Sequence, residues 1–218
     1  MKLILFISLL VLPSIWVQDK PSVLIIGDSI SKGYGPTVIE KLKSEATVVV
    51  PDANCGSTRI GLRDLEKWLG DTRWDVIHFN FGLHDLGFRF DNDTNRNEKG
   101  EYATPFNGGH QNVSLGEYQR NLKMLCTSLK RTGARLIFAT TTPVSADLHS
   151  YIKDSEIPYN EVALKVMREE GIPVNDLWRF SKPIIESLQI PGDPHFTSKG
   201  SKVLGEEVAR SIRGVLND

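Results

Sequence analysis

Cysteine is scarce in this chain: Cys55 and Cys126 are the only two among 218 residues. That excludes a small disulfide-dense scaffold and a cysteine-clustered zinc site, both of which need several closely spaced thiols. Spacing leaves the pair itself open, because a bridge and two partly buried free thiols are both compatible with it. An excess of charge is missing as well. The 26 basic residues face 27 acidic ones, for a formal net charge of −1. Such a balance carries no electrostatic footprint for nucleic acid or an anionic membrane surface. There is no internal repeat, low-complexity tract or Pro-rich linker, so a second domain is not expected.

Long hydrophobic runs are lacking everywhere except the start. Lys2 precedes an apolar run over 3–12, broken only by Ser8 and followed by Pro13 and Ser14. A charged start and a short apolar stretch have the form of a secretory signal peptide, too short to span a bilayer. The expectation is a leader over 1–18, with no clean small-x-small cleavage signal, and a single domain over 19–218. The mature protein is expected to be secreted or periplasmic, with no stable membrane insertion after signal cleavage. A buried first strand at 3–12 competes, but 22–26 already supplies that strand.

From there the chain alternates short apolar runs with helix-like segments. Residues 22–26 form a continuous apolar run ending at Gly27, suited to a parallel strand buried on both faces. A helix is expected after Gly35, with Pro36 in its first turn. Strands follow at 47–50, 75–81, 134–140 and 172–174. Helices are expected at 60–69, from a Ser114-x-x-Glu117 capping box to Gly133, at 158–170, and after a Thr197 cap. Between 89 and 112 lies a polar stretch rich in Asn, Asp and Gly, a length that in a compact domain goes with function or mobility. Five strands alternating with helices predict an α/β fold with a doubly wound five-stranded parallel sheet, in a three-layer α/β/α sandwich. Ligands bind such sheets outside the carboxyl ends of the strands.

The reactive residue types gather at those ends. Gly27-Asp28-Ser29 follows the first strand, Asn54-Cys55-Gly56 the second, Gly82-Leu83-His84-Asp85 the third, and Gly192-Asp193-Pro194-His195 the fifth. A serine is a weak nucleophile unless a base takes its proton and a third group orients that base. Ser29 stands where a strand hands over to a helix. His195 arrives on the last loop as the base, and Asp193 is placed to orient it. The N–H groups of Ser29 and Gly56 are positioned to meet an oxyanion. Each piece alone has a bland alternative, a helix cap for Asp28-Ser29 or a surface histidine. Their common placement at strand ends is what carries the reading.

These blocks resemble those of the SGNH (GDSL-type) hydrolase family over residues 22–214. Ser29 matches its nucleophile and first oxyanion donor, Gly56 the glycine of the second block, and His195 the histidine of the last. The resemblance implies a flavodoxin-like α/β/α fold, ester hydrolysis through an acyl-enzyme and no cofactor or metal. It also implies an ester substrate such as an acylated polysaccharide. Two departures stand out. His84 occupies the position of the asparagine that donates the third oxyanion hydrogen bond; an imidazole can also donate, and a structural role for His84 competes. The acid of the last block usually lies three residues before the histidine, where this chain has Gly192; Asp193 lies two before. A triad through Asp193 and a dyad oriented by a backbone carbonyl both remain open.

Rival functions are a noncatalytic carbohydrate-binding SGNH-like protein and a metal-dependent hydrolase using His84, Asp85, His195 and His110 or His149. A flavodoxin-like cofactor carrier would need a Gly- and Thr-rich phosphate cradle, which the first loop lacks. Asp28 and Asp85 read as structural acceptors rather than reactants, and Cys55 has no base near it in sequence. Trp68, Trp74 and Trp178 read as core or rim. Arg89, Tyr102, Phe106 and His110 are candidates to roof the cleft. Asn92-Asp93-Thr94 and Asn112-Val113-Ser114 are glycosylation sequons.

Overall fold

The computed structural model describes residues 20–90, 94–146 and 148–217; the leader expected at 1–18 lies outside the described residues. Along the chain, β1 (Ser22–Ile26) is followed by α1 (Ser29–Leu42), β2 (Thr47–Val49), α2 (Thr58–Leu69) and β3 (Val76–Phe79). Next come α3 (Leu83–Leu86), the two-residue strands β4 (Phe88–Arg89) and β5 (His110–Gln111), α4 (Leu115–Lys130) and β6 (Arg135–Ala139). The last part holds α5 (Glu156–Glu170), β7 (Val174–Asn175), α6 (Leu177–Ser181), α7 (Ile185–Leu188) and α8 (Ser198–Asn217).

The main sheet has the order β2-β1-β3-β6-β7, and every neighbouring pair is parallel. The strands are apolar on both faces because both faces are covered. In β1, Val23 and Ile25 pack with Tyr34, Val38 and Leu42 of α1 and Leu204, Val208 and Ile212 of α8. Leu24 and Ile26 turn the other way, toward Leu65 of α2, Leu122 and Leu125 of α4, and Val166 of α5. The result is the expected doubly wound, flavodoxin-like three-layer sandwich. The direction of winding reverses between β1 and β3, and the crevice at that reversal is where such sheets bind ligands. Among the described residues, no helix is long and apolar enough to cross a membrane.

Several boundaries differ from expectation for local reasons. Helix α1 does not wait for Pro36; it starts at Ser29 and carries Pro36 in its interior. The Asp28 carboxylate accepts the Ile30 N–H at 2.9 Å and the Asp28 carbonyl accepts the Lys32 N–H at 3.1 Å. That N-cap starts the helix upstream, at the cost of the one internal hydrogen bond that Pro36 cannot make. The fifth strand of the sheet begins at Val174 rather than 172, because Pro173 has no N–H and contributes only its carbonyl, to Phe138 N–H at 3.0 Å. The capping box at α4 forms by half. Ser114 Oγ accepts the Glu117 N–H at 3.4 Å, while the Glu117 carboxylate is held by Arg59 instead of turning back. Cys55 and Cys126 are both free and buried, which settles the open question of their pairing.

Candidate active site

Ser29 is the first residue of α1, directly after the Asp28 cap, and its side chain faces a cleft of about 380 Å3. Its Oγ lies 2.8 Å from His195 Nε2, although the two residues are 166 positions apart in sequence. On the far side of the ring, His195 Nδ1 lies 2.5 Å from Asp193 Oδ1. The same carboxylate oxygen accepts the backbone N–H of His195 at 2.8 Å. A two-residue separation therefore suffices, because one oxygen grips both the ring and the main chain of the histidine. Partial burial works against the Asp193 charge, but the two hydrogen bonds from His195 prevail and hold its carboxyl below the usual carboxylate range. An ionised Asp193 fixes the tautomer in which Nδ1 carries the proton and Nε2 is free to accept one from Ser29.

The three expected oxyanion donors, Ser29, Gly56 and His84, stand after β1, β2 and β3 at the same end of the sheet. The Ser29 N–H belongs to the first turn of α1, where amides lack intrahelical acceptors and the helix dipole favours negative charge. Gly56 precedes α2 with φ +59°, and a Cβ there would lie 2.7 Å from Ile60 Cδ1, so both conformation and space demand glycine. His84, in the short helix α3, comes near the same point: the position a Gly56 Cβ would take is 3.8 Å from His84 Nδ1. Burial pushes the His84 imidazole below its ordinary pKa, with the charges of Arg89 and His195 adding to burial and Asp28 opposing it. The ring is thus neutral near pH 7 and keeps one N–H to donate. Gly56 is the complication, since its N–H already donates to Asn54 Oδ1 at 3.0 Å.

The residues read as structural are placed so. Asp28 is buried as the cap of α1. Asp85 is wholly buried and turned away from the cleft, accepting Thr58 N–H at 3.0 Å and Thr58 Oγ1–H at 2.5 Å. It ties α3 to the start of α2, and hence His84 to Gly56. Desolvation lifts its carboxyl to about 7 in spite of those bonds. Gly82 opens this block with φ +153°, and a Cβ there would lie 2.1 Å from Thr141 Oγ1. Burial raises the Cys55 thiol to about 11, so it is not a nucleophile at neutral pH. Trp74 is buried, and Trp178 donates from Nε1 to Glu156 at 2.7 Å. The Asn112 side-chain amide, which a glycan would occupy, donates to the His84 carbonyl at 2.8 Å; Asn92 and Asp93 lie outside the described residues.

The opposite wall of the cleft comes from two excursions. Strands β4 and β5 form an antiparallel stem that pairs Phe88 with Gln111 and Arg89 with His110. The Phe88 N–H binds the Ser150 carbonyl at 2.8 Å, which fastens this stem to the second excursion, 144–155. From these segments Arg89, Asn95, Tyr102, His149, Ser150 and Tyr151 line the cleft. The Arg96 guanidinium lies 4.0 Å over the Tyr102 ring, and the His149 ring is tilted against it at 4.4 Å between centroids. Two of the four residues expected to roof the cleft are therefore there, Arg89 and Tyr102. Phe106 is 91% exposed and His110 lies on the outer strand, so neither lines it. Sequence reasoning passed over Asn95, Ser150 and Tyr151, and treated His149 only as a metal donor. No periodicity marks these residues; the sole local signal was the length of the first excursion. Among the described residues, no three His, Cys, Asp or Glu side chains come together as metal donors.

The chain is similar to known proteins over most of its length. A family model described as "GDSL-like Lipase/Acylhydrolase family" matches residues 25–203. A GDSL esterase/lipase of Arabidopsis thaliana is 26% identical over 222 residues, covering 88% of this chain and 85% of the plant protein. Among solved structures, a lipase/acylhydrolase from Enterococcus faecalis superimposes with a TM-score of 0.69 at 20% identity, over 89% of this chain and 96% of its own. The acetylxylan esterase Axe2 from Geobacillus stearothermophilus gives 0.67 at 17% identity, over 90% and 95%. At such identities these two structures speak for the fold.

Proposed function

The chain belongs to the GDSL-like lipase/acylhydrolase family and is a carboxylic ester hydrolase, and from that premise we propose that it is an exported enzyme that deacylates carbohydrate through Ser29. The observation that carries the proposal is the continuous contact Ser29–His195–Asp193, at 2.8 and 2.5 Å, at the mouth of the cleft. Ser29 Oγ attacks the ester carbonyl while His195 Nε2 takes its proton. The developing oxyanion is met by the N–H groups of Ser29 and Gly56 and by the His84 ring. At Gly56 it displaces Asn54 Oδ1, a neutral acceptor that a full negative charge outcompetes. Collapse expels the alcohol, which receives its proton from His195, and water repeats the sequence on the acyl-enzyme.

The far wall favours a sugar. Tyr102 and Tyr151 line the cleft with aromatic rings beside the hydrogen-bonding groups of Asn95 and Ser150, a combination suited to a pyranose. The shared fold with an acetylxylan esterase accords with this. Export rests on the apolar run over 3–12.

Two measurements test the proposal. A fluorophosphonate probe mapped by mass spectrometry is expected to mark Ser29 alone, with hydrolysis of acetylated oligosaccharides ahead of long-chain aryl esters. A mark on another residue, or none in a protein that hydrolyses aryl acetate, overturns the nucleophile; a protein that binds the sugar without turnover would be the noncatalytic relative. Expressed from its full gene, the chain is expected in the medium or periplasm with a new N-terminus near residue 18, and retention of Met1 in the cell would refute export.

A further inference from the structure

The cleft holds a cation with which no carboxylate pairs among the described residues. Arg59, Arg63, Arg210 and Arg213 each meet a carboxylate at 2.6–2.7 Å on the surface. Arg96 rests on the ring of Tyr102. Arg89 differs from all five: it is half-buried, it lines the cleft, and among the described residues no carboxylate pairs with it. Asp193, the carboxylate in the same cleft, is engaged with His195. Asp28, whose charge also reaches this region, is buried as the helix cap.

Arg89 is also held in place. Its backbone is fixed by pairing with His110 in β5, and the neighbouring Phe88 N–H is bound to Ser150. Its charge is felt by His84 on one side of the cleft and by Tyr151 on the other. A guanidinium withdrawn partly from water and left unpaired is costly, and the cost is relieved when a ligand brings the missing charge. Its planar fork suits a carboxylate, sulfate or phosphate, each of which offers two oxygens side by side. A neutral acetylated sugar gives it nothing to bind beyond a hydroxyl.

We propose that Arg89 is a substrate-recognition residue that binds an oxyanion carried by the sugar beside the ester, so that the preferred substrate is an acylated acidic saccharide. This rests on the reading of the cleft as a sugar-ester site. The ester is then delivered to Ser29 while the acidic group is held on the opposite wall, beside Tyr102 and Tyr151.

The test compares matched pairs: acetylated oligogalacturonate with its methyl ester, and an acetylated sulfated oligosaccharide with its desulfated form. The readout is the ratio of kcat/KM within each pair. We expect the wild type to favour the anionic member of at least one pair by about tenfold, the value of one charge-assisted hydrogen bond. Preference in the first pair names a uronate and preference in the second a sulfated sugar; either supports the proposal. Arg89→Gln should bring the ratio near one, and Arg89→Lys should keep part of it. Raising salt should lower the wild-type ratio without any variant, because the cleft is open to solvent. A wild-type ratio near one in both pairs, or a ratio that survives Arg89→Gln, overturns the proposal. Failure of the wild type to cleave any acetylated sugar while cleaving aryl acetate would instead overturn the sugar-ester reading beneath it, and this inference with it.

Discussion

The two walls of the cleft are built on different terms. The wall that carries Ser29, Gly56, His84 and His195 consists of short turns at the ends of β1, β2 and β3 and before α8. Each turn is tied down: Asp28 caps α1, Asp85 joins α3 to α2, and Asp193 holds both ring and backbone of His195. The wall that carries Arg89, Tyr102 and Tyr151 hangs on two-residue strands and single bridges, Arg96 to Tyr102 and Leu148 to Tyr151. It also contains the two non-glycine residues with positive φ, His149 at 51° and Asp154 at 60°, among the described residues. The difference teaches a division of labour. In the proposed mechanism, the groups that must sit within a few tenths of an ångström of the reacting atoms stand at the ends of the sheet, and the groups proposed to contact the sugar stand on loops.

That contrast predicts a graded series of losses. Ser29→Ala should be the most severe, lowering turnover by roughly 10⁶-fold while leaving the melting temperature and sugar binding near wild type. Next is Asp193→Asn, expected to lose about 10⁴-fold through the wrong imidazole tautomer; a loss of only a few-fold would mean that Ser29 and His195 work as a dyad. His84→Ala should lose about 10²–10³-fold in kcat with KM nearly unchanged, and His84→Asn should recover part of it. If melting temperature falls while turnover per folded molecule holds, His84 is packing rather than an oxyanion donor. On the opposite wall, Tyr102→Ala should raise KM for an oligosaccharide about fivefold, from lost contact with the cleft wall worth roughly 1 kcal/mol, and leave an aryl acetate nearly unaffected. A large fall in kcat there would break the division of labour.

The smallest expected effect is thermodynamic and concerns how the rigid wall is fastened. The folded state raises the Asp85 carboxyl to about 7, so its contribution is fully present below pH 3.8 and is lost as pH rises toward 7. His78, wholly buried in β3, behaves oppositely: burial lowers it to about 4, and its contribution is present above 6.5 and lost as pH falls toward 4. In the wild type these slopes oppose one another between pH 4 and 7. Asp85→Asn removes the first, so the variant's urea midpoint should climb with pH across that range more steeply than the wild type's. Equal slopes would show that Asp85 stays ionised against Thr58.

What could be read from the sequence follows the same line. The sheet, its order of elements and the positions of Ser29, Gly56, His84, Asp193 and His195 were legible, because buried parallel strands write unbroken apolar runs and the turns follow directly. Pro36 and Pro173 misled the boundaries, since a helix cap and a lone carbonyl in the ladder are tertiary bargains that propensity does not record. The selecting wall was nearly silent. Its length was visible, but that Tyr102 turns inward while Phe106 faces water depends on single bridges and on Arg96 and His149 as neighbours. Likewise nothing in the sequence announces that the Gly56 amide is occupied by Asn54, or that His78 is wholly buried in the sheet.

The 166 residues between Ser29 and His195 have a consequence for the life of the chain. Ser29 is synthesised directly after β1, whereas His195 follows all seven strands, just ahead of the helix α8 that packs against α1. Loop closure on that scale comes late, and a parallel sheet cannot register its outer strands until the crossovers between them exist. The contact between Ser29 and His195 can therefore form only after every strand of the main sheet has been synthesised.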